Sequence, residues 1–322
     1  MKLFTPKKRQ LRQLILLACS LGIILFCTQS VNAQIDSFCR PQIIVTDRKL
    51  AYEGELNDTC KQRITTFSDA LKELAKANVV YLGETHDNPE DHKIQLQIIQ
   101  ALQKRNPKKI AIAMEMFQHP YQDILNRYLA GELSEQELVK QSEYNQRWGY
   151  PWEYYAPILR FAKEKQLPVI ALNIPAQITR TVARAGLESL TQGQLLLIPP
   201  LKEIRTDNIE YRQLLAKSFG QHQHFAHGNS SGFERFFQAQ VVWDETMAAG
   251  IAKFLQANSR DRVVVLAGQG HIIYNYGIPS RVARRLQNKR LVQRSVLLSP
   301  PQEDLVDTHP PVADFLWQQK KD

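Results

Sequence analysis

The stretch of sequence that decides the fold is residues 79–92, which run Val79-Val80-Tyr81-Leu82-Gly83-Glu84-Thr85-His86-Asp87-Asn88-Pro89-Glu90-Asp91-His92. An apolar run that stops at a glycine and continues into Glu, His and Asp is typical of a buried strand ending at its carboxyl edge. Asn88 and Pro89 predict the start of a helix, with Asn as N-cap and Pro in the first turn. In open α/β sheets this edge is where ligands bind. The alternative is a solvated turn whose acids only cap the next helix.

Strands and helices alternate along the rest of the chain. We predict further strands at residues 109–116, 168–172, 262–268 and 291–297, and helices at about 68–77, 89–105, 151–165, 175–185 and 233–255. This alternation predicts an α/β fold with a mostly parallel sheet flanked by helices, a helical excursion and a small N-terminal hairpin. The predicted domain boundaries are a signal peptide at 1–33, a hairpin extension at 34–66, the α/β domain at 67–300 and a loose C-terminal tail at 301–322.

The first 33 residues have the pattern of an export signal. A basic segment (Lys7, Lys8, Arg9 and Arg12) precedes a short apolar core, and Val31-Asn32-Ala33 supplies the small-residue pattern cut by a signal peptidase. The core is short for a membrane span, so cleavage before Gln34 is the favoured interpretation. Two alternatives stay open, an uncleaved anchor and a lipoprotein cleavage box at Leu16-Leu17-Ala18-Cys19. We therefore expect the protein in the periplasm or attached to the cell envelope of a bacterium.

The positive charge of the chain lies largely in this leader. The whole chain has a net charge of +9, but residues 1–33 contain five Lys or Arg and no acid, which leaves +4 for the rest. The remaining basic residues are scattered, without an aromatic-laced stripe. Composition therefore does not support nucleic-acid binding.

Two of the four cysteines remain after the leader. Cys39 and Cys60 have no neighbouring metal-ligand pattern. In an oxidising envelope such a pair is most simply a disulfide across the N-terminal hairpin, and it would contribute roughly 3 kcal/mol to stability. This pattern does not favour a metal site built on cysteine.

Ionisable residues follow three of the predicted strands. The first strand ends at Glu84 and His86, the second at Glu115, and the fourth continues into Gly268-Gln269-Gly270-His271. Neighbouring parallel strands bring their carboxyl ends to one edge, so these side chains are expected to meet in one pocket. Two imidazoles and one or two carboxylates are a plausible ligand set for Zn²⁺, Fe²⁺ or Mn²⁺, with His86, Glu115 and His271 as the metal candidates.

Other polar residues near this edge have local interpretations. His92, about one turn into the helix, is interpreted as solvated, and Asp87 as an acid at a helix N-terminus. His271 alternatively caps a helix. Asp244, on the long helix, is a candidate to hydrogen-bond a histidine of the edge, and its alternative is a capping role.

Four segments together resemble the ChaN family. They are the Gly83-Glu84-Thr85-His86 turn, the Glu115-Met116-Phe117 strand end, the helix segment Gln240-Val241-Val242-Trp243-Asp244-Glu245-Thr246-Met247-Ala248 and the Gly268-Gln269-Gly270-His271 turn. The resemblance covers roughly residues 71–298. It implies an α/β fold with a helical excursion, haem as the cofactor, and a role in haem or iron acquisition at the cell envelope.

The resemblance also implies an alternative activity. ChaN proteins are grouped with the Tiki, TraB and erythromycin-esterase-like proteins, whose enzymatic members use a glycine-x-x-histidine turn, a strand-end glutamate and a late histidine for hydrolysis. Those roles fall here on His86, Glu115 and His271, beside Glu84. The alternative is therefore a metal-dependent or general-base hydrolase acting with this set. A third hypothesis is an exported scaffold with a vestigial pocket.

Tyrosine is the favoured haem ligand on chemical grounds, because its anionic oxygen suits ferric iron. The aromatic segment 144–155 offers Tyr150 and Tyr154, and Tyr274 and Tyr276 follow the His271 turn. The alternative for each ring is packing of a loop onto the core. The resemblance does not decide between these tyrosines.

A histidine cluster and an arginine complete the candidates. His222, His224 and His227 lie in a segment rich in Gly and Ser and are candidates to bind a transition metal or a haem edge; the alternative is a solvated insertion. Of these, His227 is taken as a candidate cofactor residue. Arg235 is a candidate partner of a haem propionate, or pairs with a surface acid. The expected partners are haem, a second copy of the chain sharing haem, and a membrane held through the N-terminus.

Overall fold

A computed structural model describes residues 54–55, 65–107, 110–222, 230–259, 261–300 and 311–319. The chain separates into two compact units, 1–40 and 41–322, and every described residue belongs to the second. The predicted leader, Cys39 and Cys60 lie outside the described residues, as does the predicted hairpin apart from residues 54–55 and 65–66. So do His224 and His227. Within the described residues, no helix has the length and apolar character needed to cross a membrane.

The described strands form one sheet. They are β1 (Gly54–Glu55), β2 (Val79–Glu84), β3 (Ile110–Gln118), β4 (Val169–Asn173), β5 (Arg262–Gly268), β6 (Gln293–Leu298) and β7 (Phe315–Gln319). Their spatial order is β1-β7-β6-β2-β5-β3-β4. Every pair from β7 to β4 is parallel, and only β1 pairs antiparallel, with β7. The prediction of a mostly parallel α/β sheet is confirmed.

Helices connect and cover the strands. The described α-helices are α1 (Phe67–Leu74), α2 (Pro89–Arg105), α3 (Gln122–Leu129), α4 (Glu135–Gln141), α5 (Tyr144–Arg147), α6 (Trp152–Lys165), α7 (Ala176–Ala185), α8 (Gln192–Leu195), α9 (Ile209–His222), α10 (Ser230–Ala257) and α11 (Ile278–Leu286). Every residue of β2 and β3 is buried, as expected for parallel strands covered on both faces.

Capping residues define where the helices begin. Asn88 caps α2 by accepting a hydrogen bond from the backbone N–H of Glu90, and Pro89 occupies the first turn, as predicted. The cap of α1 is Thr66, whose side chain accepts from the N–H of Asp69, so this helix begins one residue earlier than predicted. Its first residue, Phe67, is buried.

The predicted loose tail is wrong for residues 311–319. Strand β7 pairs in parallel with β6, and Phe315, Leu316 and Trp317 are buried. Trp317 also packs edge-on against Phe67, with ring centroids 5.9 Å apart. The prolines and acids before this strand favour a loop, but three consecutive apolar residues follow them. Burial of these residues against the sheet stabilises the strand by more than the local preference for a loop opposes it.

The helical excursion predicted between β4 and β5 is present. Residues from α7, α9 and α10 form an apolar cluster of their own, which includes Ile178, Val182, Tyr211, Phe237 and Val242. Helix α10 then continues along the sheet, where Met247, Ala248 and Ile251 join the main core. One helix therefore links the excursion to the edge of the sheet.

Candidate functional site

The carboxyl ends of three neighbouring strands bring the predicted side chains together. In the order β2-β5-β3, Glu84 ends β2, Glu115 lies in β3, and Gly268 ends β5 before the turn that carries His271. Glu84 is the register partner of Gly268. The expectation that these side chains meet at one edge is confirmed.

His86 belongs to the first of two similar arrangements. Its Nδ1 donates a hydrogen bond to Oε1 of Glu84 at 2.7 Å, and the hydroxyl of Tyr155 donates to the same oxygen at 2.5 Å. The other oxygen of Glu84 accepts from Nε2 of Gln95 at 2.7 Å. Glu84 is fully buried, whereas the His86 side chain is 24% exposed. A buried, fully hydrogen-bonded carboxylate therefore orients a histidine that solvent reaches.

His271 belongs to the second arrangement. Its Nδ1 donates to Oδ1 of Asp244 at 2.6 Å, and the hydroxyl of Tyr211 donates to Oδ2 of Asp244 at 2.7 Å. The His271 side chain is only 8% exposed. We call the Tyr155–Glu84–His86 set the outer unit and the Tyr211–Asp244–His271 set the inner unit. The hypothesis that Asp244 hydrogen-bonds a histidine of the edge is confirmed.

Glu115 and Gly268 lie between the two units. Oε2 of Glu115 accepts from the N–H of Gly268 at 2.8 Å, and its Oε1 lies 3.5 Å from Nε2 of His271. A Cβ atom on Gly268 would stand 2.9 Å from Nε2 of His86. Glycine is therefore needed here for close approach of the imidazole to the backbone.

The carboxylates raise the pKa of both histidines. Burial lowers the pKa of His86, but the hydrogen bond to Glu84 and the charges of Glu115 and Glu84 outweigh it, so the pKa is raised overall. Burial likewise lowers the pKa of His271, and Glu115 and Asp244 raise it by more. The charge of His271 lowers the pKa of His86 by less than the carboxylates raise it, so the net shift of His86 stays upward.

Aromatic rings pack against both histidines. The rings of Trp148 and Tyr150 lie 4.9 Å and 5.1 Å from that of His86, measured between centroids. Trp243 lies 4.9 Å from His271. Burial, followed by the charges of Asp87, Glu115 and Glu84, raises the pKa of Tyr150.

The other predicted tyrosines lie elsewhere. Tyr154 stacks on His92 at 5.0 Å and not on His86. Tyr274 stacks on Tyr276 at 5.5 Å, and Tyr276 also contacts Tyr211 of the inner unit at 6.3 Å. The structure thus brings Tyr150 to the outer unit and Tyr276 to the inner one.

The interpretation of His92 as a solvated residue is wrong. His92 is buried, its Nε2 donates to the backbone oxygen of His86 at 3.1 Å, and its ring packs on Tyr155. Asp91 is also buried and accepts from the N–H of Thr85, and burial raises its pKa to about 6. Both residues hold the turn that carries His86, because helix α2 presents them towards the strand end.

Arg235 is partly buried on α10, and its Nε has no hydrogen-bond partner among the described residues. His227 lies outside those residues, so its predicted role stays a prediction. The metal hypothesis for His86, Glu115 and His271 also stays a prediction. Within the part of the chain that the structure describes, no group of three His, Cys, Asp or Glu side chains is arranged to hold a metal ion.

Three buried polar atoms at the site lack a partner among the described residues. They are Nε1 of Trp243, beside His271, Nε1 of Trp148, beside His86, and Oε1 of Gln269, in the turn between Gly268 and His271. Buried polar atoms are nearly always hydrogen-bonded, so unmatched ones at a candidate site point to a bound molecule or water.

Sequence reasoning missed several residues that hold the site. Gln95 lies one turn beyond His92 on the buried face of α2, and that spacing was a usable signal. Tyr155 is predicted from the sequence only as part of an aromatic surface, although its hydroxyl donates a hydrogen bond to Glu84. Tyr211 lies in the segment with the weakest local pattern, and nothing near it in the sequence indicated Asp244 as its partner.

Comparisons with known proteins agree with this fold. A solved structure described as cofacial heme binding to ChaN of Campylobacter jejuni superposes with a TM-score of 0.68, at 19% identity, over 86% of this chain and 100% of that one. An erythromycin esterase, EreC, has a TM-score of 0.44 at 14% identity over 72% of each chain, which is too distant to support an argument.

A curated plant protein is also similar. Protein RETICULATA-RELATED 5, chloroplastic, from Arabidopsis thaliana is 28% identical over 267 residues, which are 76% of this chain and 34% of the plant protein. The chain therefore spans about a third of the length of that relative. A family model described as "Haem-binding uptake, Tiki superfamily, ChaN" matches residues 70–282, which include both histidine units. The protein belongs to the ChaN family of haem-binding uptake proteins.

Proposed function

We propose that this protein binds haem at the outer unit and serves haem or iron acquisition at the cell envelope after export. The observation that carries the haem site is the exposure of His86 beside Tyr150 and Trp148, since these rings form the part of the edge that solvent reaches. His271 is too deeply buried to meet a large planar ligand without movement. Family membership supports haem as that ligand.

The residues of the outer unit fit haem chemically. Bound haem would supply a ferric iron, which a phenolate or an imidazole can hold. Tyr150 would offer the phenol and His86 the imidazole, while Trp148 would offer an apolar face. Glu84 fixes the orientation of His86 through Nδ1, in the way that carboxylates orient ligating histidines.

A haem titration of the purified chain without a histidine tag tests the proposal. We expect a saturable shift of the Soret absorbance, with a charge-transfer band typical of a phenolate ligand. Tyr150→Phe should remove that band and weaken binding. Tyr154→Phe is the matched control, because Tyr154 stacks on His92, and it should bind like the wild type.

The outcomes separate the candidate ligands. Loss of the spectrum in His86→Ala with Tyr150→Phe tolerated would move the ligand to the imidazole. Loss in a Tyr276→Phe variant alone would move haem to the side of the inner unit. No shift beyond that of free haem would overturn the proposal.

Export and a shared haem are parts of the proposal with their own tests. The basic and apolar pattern of residues 1–33 supports export, and fractionation of cells that express the chain should place it in the envelope. The solved Campylobacter ChaN is described as binding haem cofacially. Two chains of this protein sharing haem should double the mass measured by light scattering when haem is added.

Hydrolysis is the second candidate function. The specific observation in its favour is the inner unit, where Asp244 orients His271 and Glu115 lies 3.5 Å from the opposite ring nitrogen. Such a histidine is suited to proton transfer. Ester hydrolysis, with or without added Zn²⁺ or Mn²⁺, should then be lost in Glu115→Gln and retained in the exposed-surface control Glu153→Gln.

A further inference from the structure

A second concave site lies away from both histidine units. A cavity of about 520 Å³ opens between the C-terminal parts of α10 and α11 and the turn at Leu201–Glu203. Its ionisable lining consists of Lys202, Arg205, Lys253, Arg284 and Arg285, with Glu203 as the one carboxylate. The lining therefore carries five positive charges and one negative charge, in a cavity of the size that holds small molecules. Outside the lining, Asp207 lies 4.0 Å from Arg205.

A buried carboxylate holds two of these arginines in place. Glu245, which is fully buried, accepts hydrogen bonds from Nη2 of Arg284 at 2.7 Å and 2.6 Å and from Nη2 of Arg285 at 2.7 Å. The Arg285 side chain is only 12% exposed and also pairs with Glu203. The two guanidinium groups are thus oriented before any ligand arrives, which lowers the entropy lost on binding.

Internal pairing does not neutralise the cluster. Arg281 also lies 3.4 Å from Glu245, so one buried carboxylate serves three arginines. Nε of Arg285 is buried and has no hydrogen-bond partner within the described part of the chain. Lys202 and Lys253 are exposed, and no described carboxylate pairs with either. Neutralising the single charge of Glu245 would require fewer cations than the cluster contains.

The donor set matches phosphate. Guanidinium groups bind phosphate oxygens in a bidentate manner, and lysines add point charges at the rim. A carboxylate ligand would use one arginine fork, whereas five cations suit a group that carries two or more negative charges. Asp244 and Glu245 are adjacent on α10 but serve different sites, Asp244 through His271 and Glu245 through these arginines.

We propose that this cavity binds a phosphate-bearing anion, either a phosphorylated small molecule or the phosphate headgroup of a lipid. The phosphate would lie against Arg284 and Arg285, with Lys202 and Lys253 at the mouth. The site is separate from the haem proposal and needs no haem to be tested.

The test uses pyrophosphate and lipid vesicles on the full chain at low ionic strength. We expect saturable heat in calorimetry with pyrophosphate and a rise in the melting temperature. The double variant Lys202→Gln with Lys253→Gln should bind about tenfold more weakly, since two surface lysines each contribute a modest share of the attraction. These lysines lie outside the Glu245 network, so the variant should fold normally.

Lys104→Gln with Lys140→Gln is the matched control, because it removes the same charge from two exposed lysines elsewhere. It should bind pyrophosphate like the wild type. Sedimentation with phosphatidylglycerol vesicles, compared with phosphatidylcholine vesicles, tests the lipid source with the same variants. Binding of pyrophosphate alone assigns a soluble ligand, and vesicle binding that needs Lys202 and Lys253 assigns a headgroup. Absence of both, or equal weakening in the control variant, overturns the proposal.

Discussion

The outer and inner units have the same chemical composition in different surroundings. Each consists of a tyrosine hydroxyl, a carboxylate and a histidine, joined by hydrogen bonds of 2.5 to 2.7 Å. His86 is 24% exposed, however, whereas His271 is 8% exposed. The outer carboxylate also lies two residues from its histidine in sequence, while Asp244 reaches His271 from a different element. The outer unit is therefore exposed enough to contact a ligand, whereas the more deeply buried inner unit is suited to hold charge inside the fold.

Removal of the inner histidine should have the largest effect. His271→Ala leaves the buried carboxylate of Asp244 without its cation, and breaking a buried pair in this way costs about 3–5 kcal/mol of unfolding free energy. His86→Ala should cost only about 1.5–3 kcal/mol, because Glu84 keeps Tyr155 and Gln95 as donors and solvent reaches the gap. Urea unfolding measures both. Equal losses would remove the distinction of depth between the units.

The two tyrosines should be equivalent. Tyr155→Phe and Tyr211→Phe each delete a buried hydrogen bond to a carboxylate, which is worth about 1.5–3 kcal/mol. Because both hydroxyls are buried, we expect similar losses in urea unfolding. Tyr154→Phe, a neighbour that stacks on His92, should change stability little. A loss confined to one of the two variants would show that the similarity of the units is only geometric.

The approach of His86 to the backbone can be tested at a single glycine. Gly268→Ala places a Cβ 2.9 Å from Nε2 of His86, and such overpacking costs about 1–3 kcal/mol. Gly270→Ala is the control, since no atom lies within 4 Å of its Cβ position. We expect weaker haem binding and lower stability in the first variant only. Unchanged haem binding in Gly268→Ala would argue against a ligand at the outer unit.

The pH dependence of the histidines should differ from that of an ordinary buried histidine. The pKa values of His86 and His271 are raised, whereas burial lowers the pKa of His119 despite its hydrogen bond to Leu197. For a raised histidine, the stabilisation is complete below the unfolded pKa of about 6.5 and is lost as pH rises through the folded pKa. Each pKa unit corresponds to about 1.4 kcal/mol.

Nuclear magnetic resonance of the imidazole protons measures these three pKa values directly. His86 and His271 should titrate above 6.5 and His119 below it, and Asp244→Asn should lower the value for His271 alone. A titration of His271 below 6.5 in the wild type would contradict the account of the inner unit.

Local pattern was enough to predict much of the fold. Apolar runs located β2, β3, β4, β5 and β6 to within a few residues, and Asn88 with Pro89 located the start of α2. The failed predictions have one cause. They concern residues that are buried by segments far away in the sequence. Trp317 joins the sheet despite a loop-like approach, and His92 is buried because Tyr154 and Tyr155 pack on it.

The candidate site was predicted in the same uneven way. Glu84, His86, Glu115 and His271 could be found because each follows a strand, and parallel topology makes strand ends converge. Asp244 was proposed as a partner of a histidine but not assigned to His271. Tyr211 and the arginines around Glu245 gave no signal, because their spacing in sequence has no relation to their separation in space.

The sequence by itself determined the order of the strands from β2 to β6 and of the helices between them, the strand ends that carry the site, and membership of the ChaN family, since these depend on residue types at short spacing. The tertiary structure alone decided which histidine is exposed, which tyrosine serves which carboxylate, and where five cations gather around one cavity. Those properties depend on which distant segments of the chain pack over a side chain. That packing determines the solvation of the side chain, its pKa and its accessibility to a ligand.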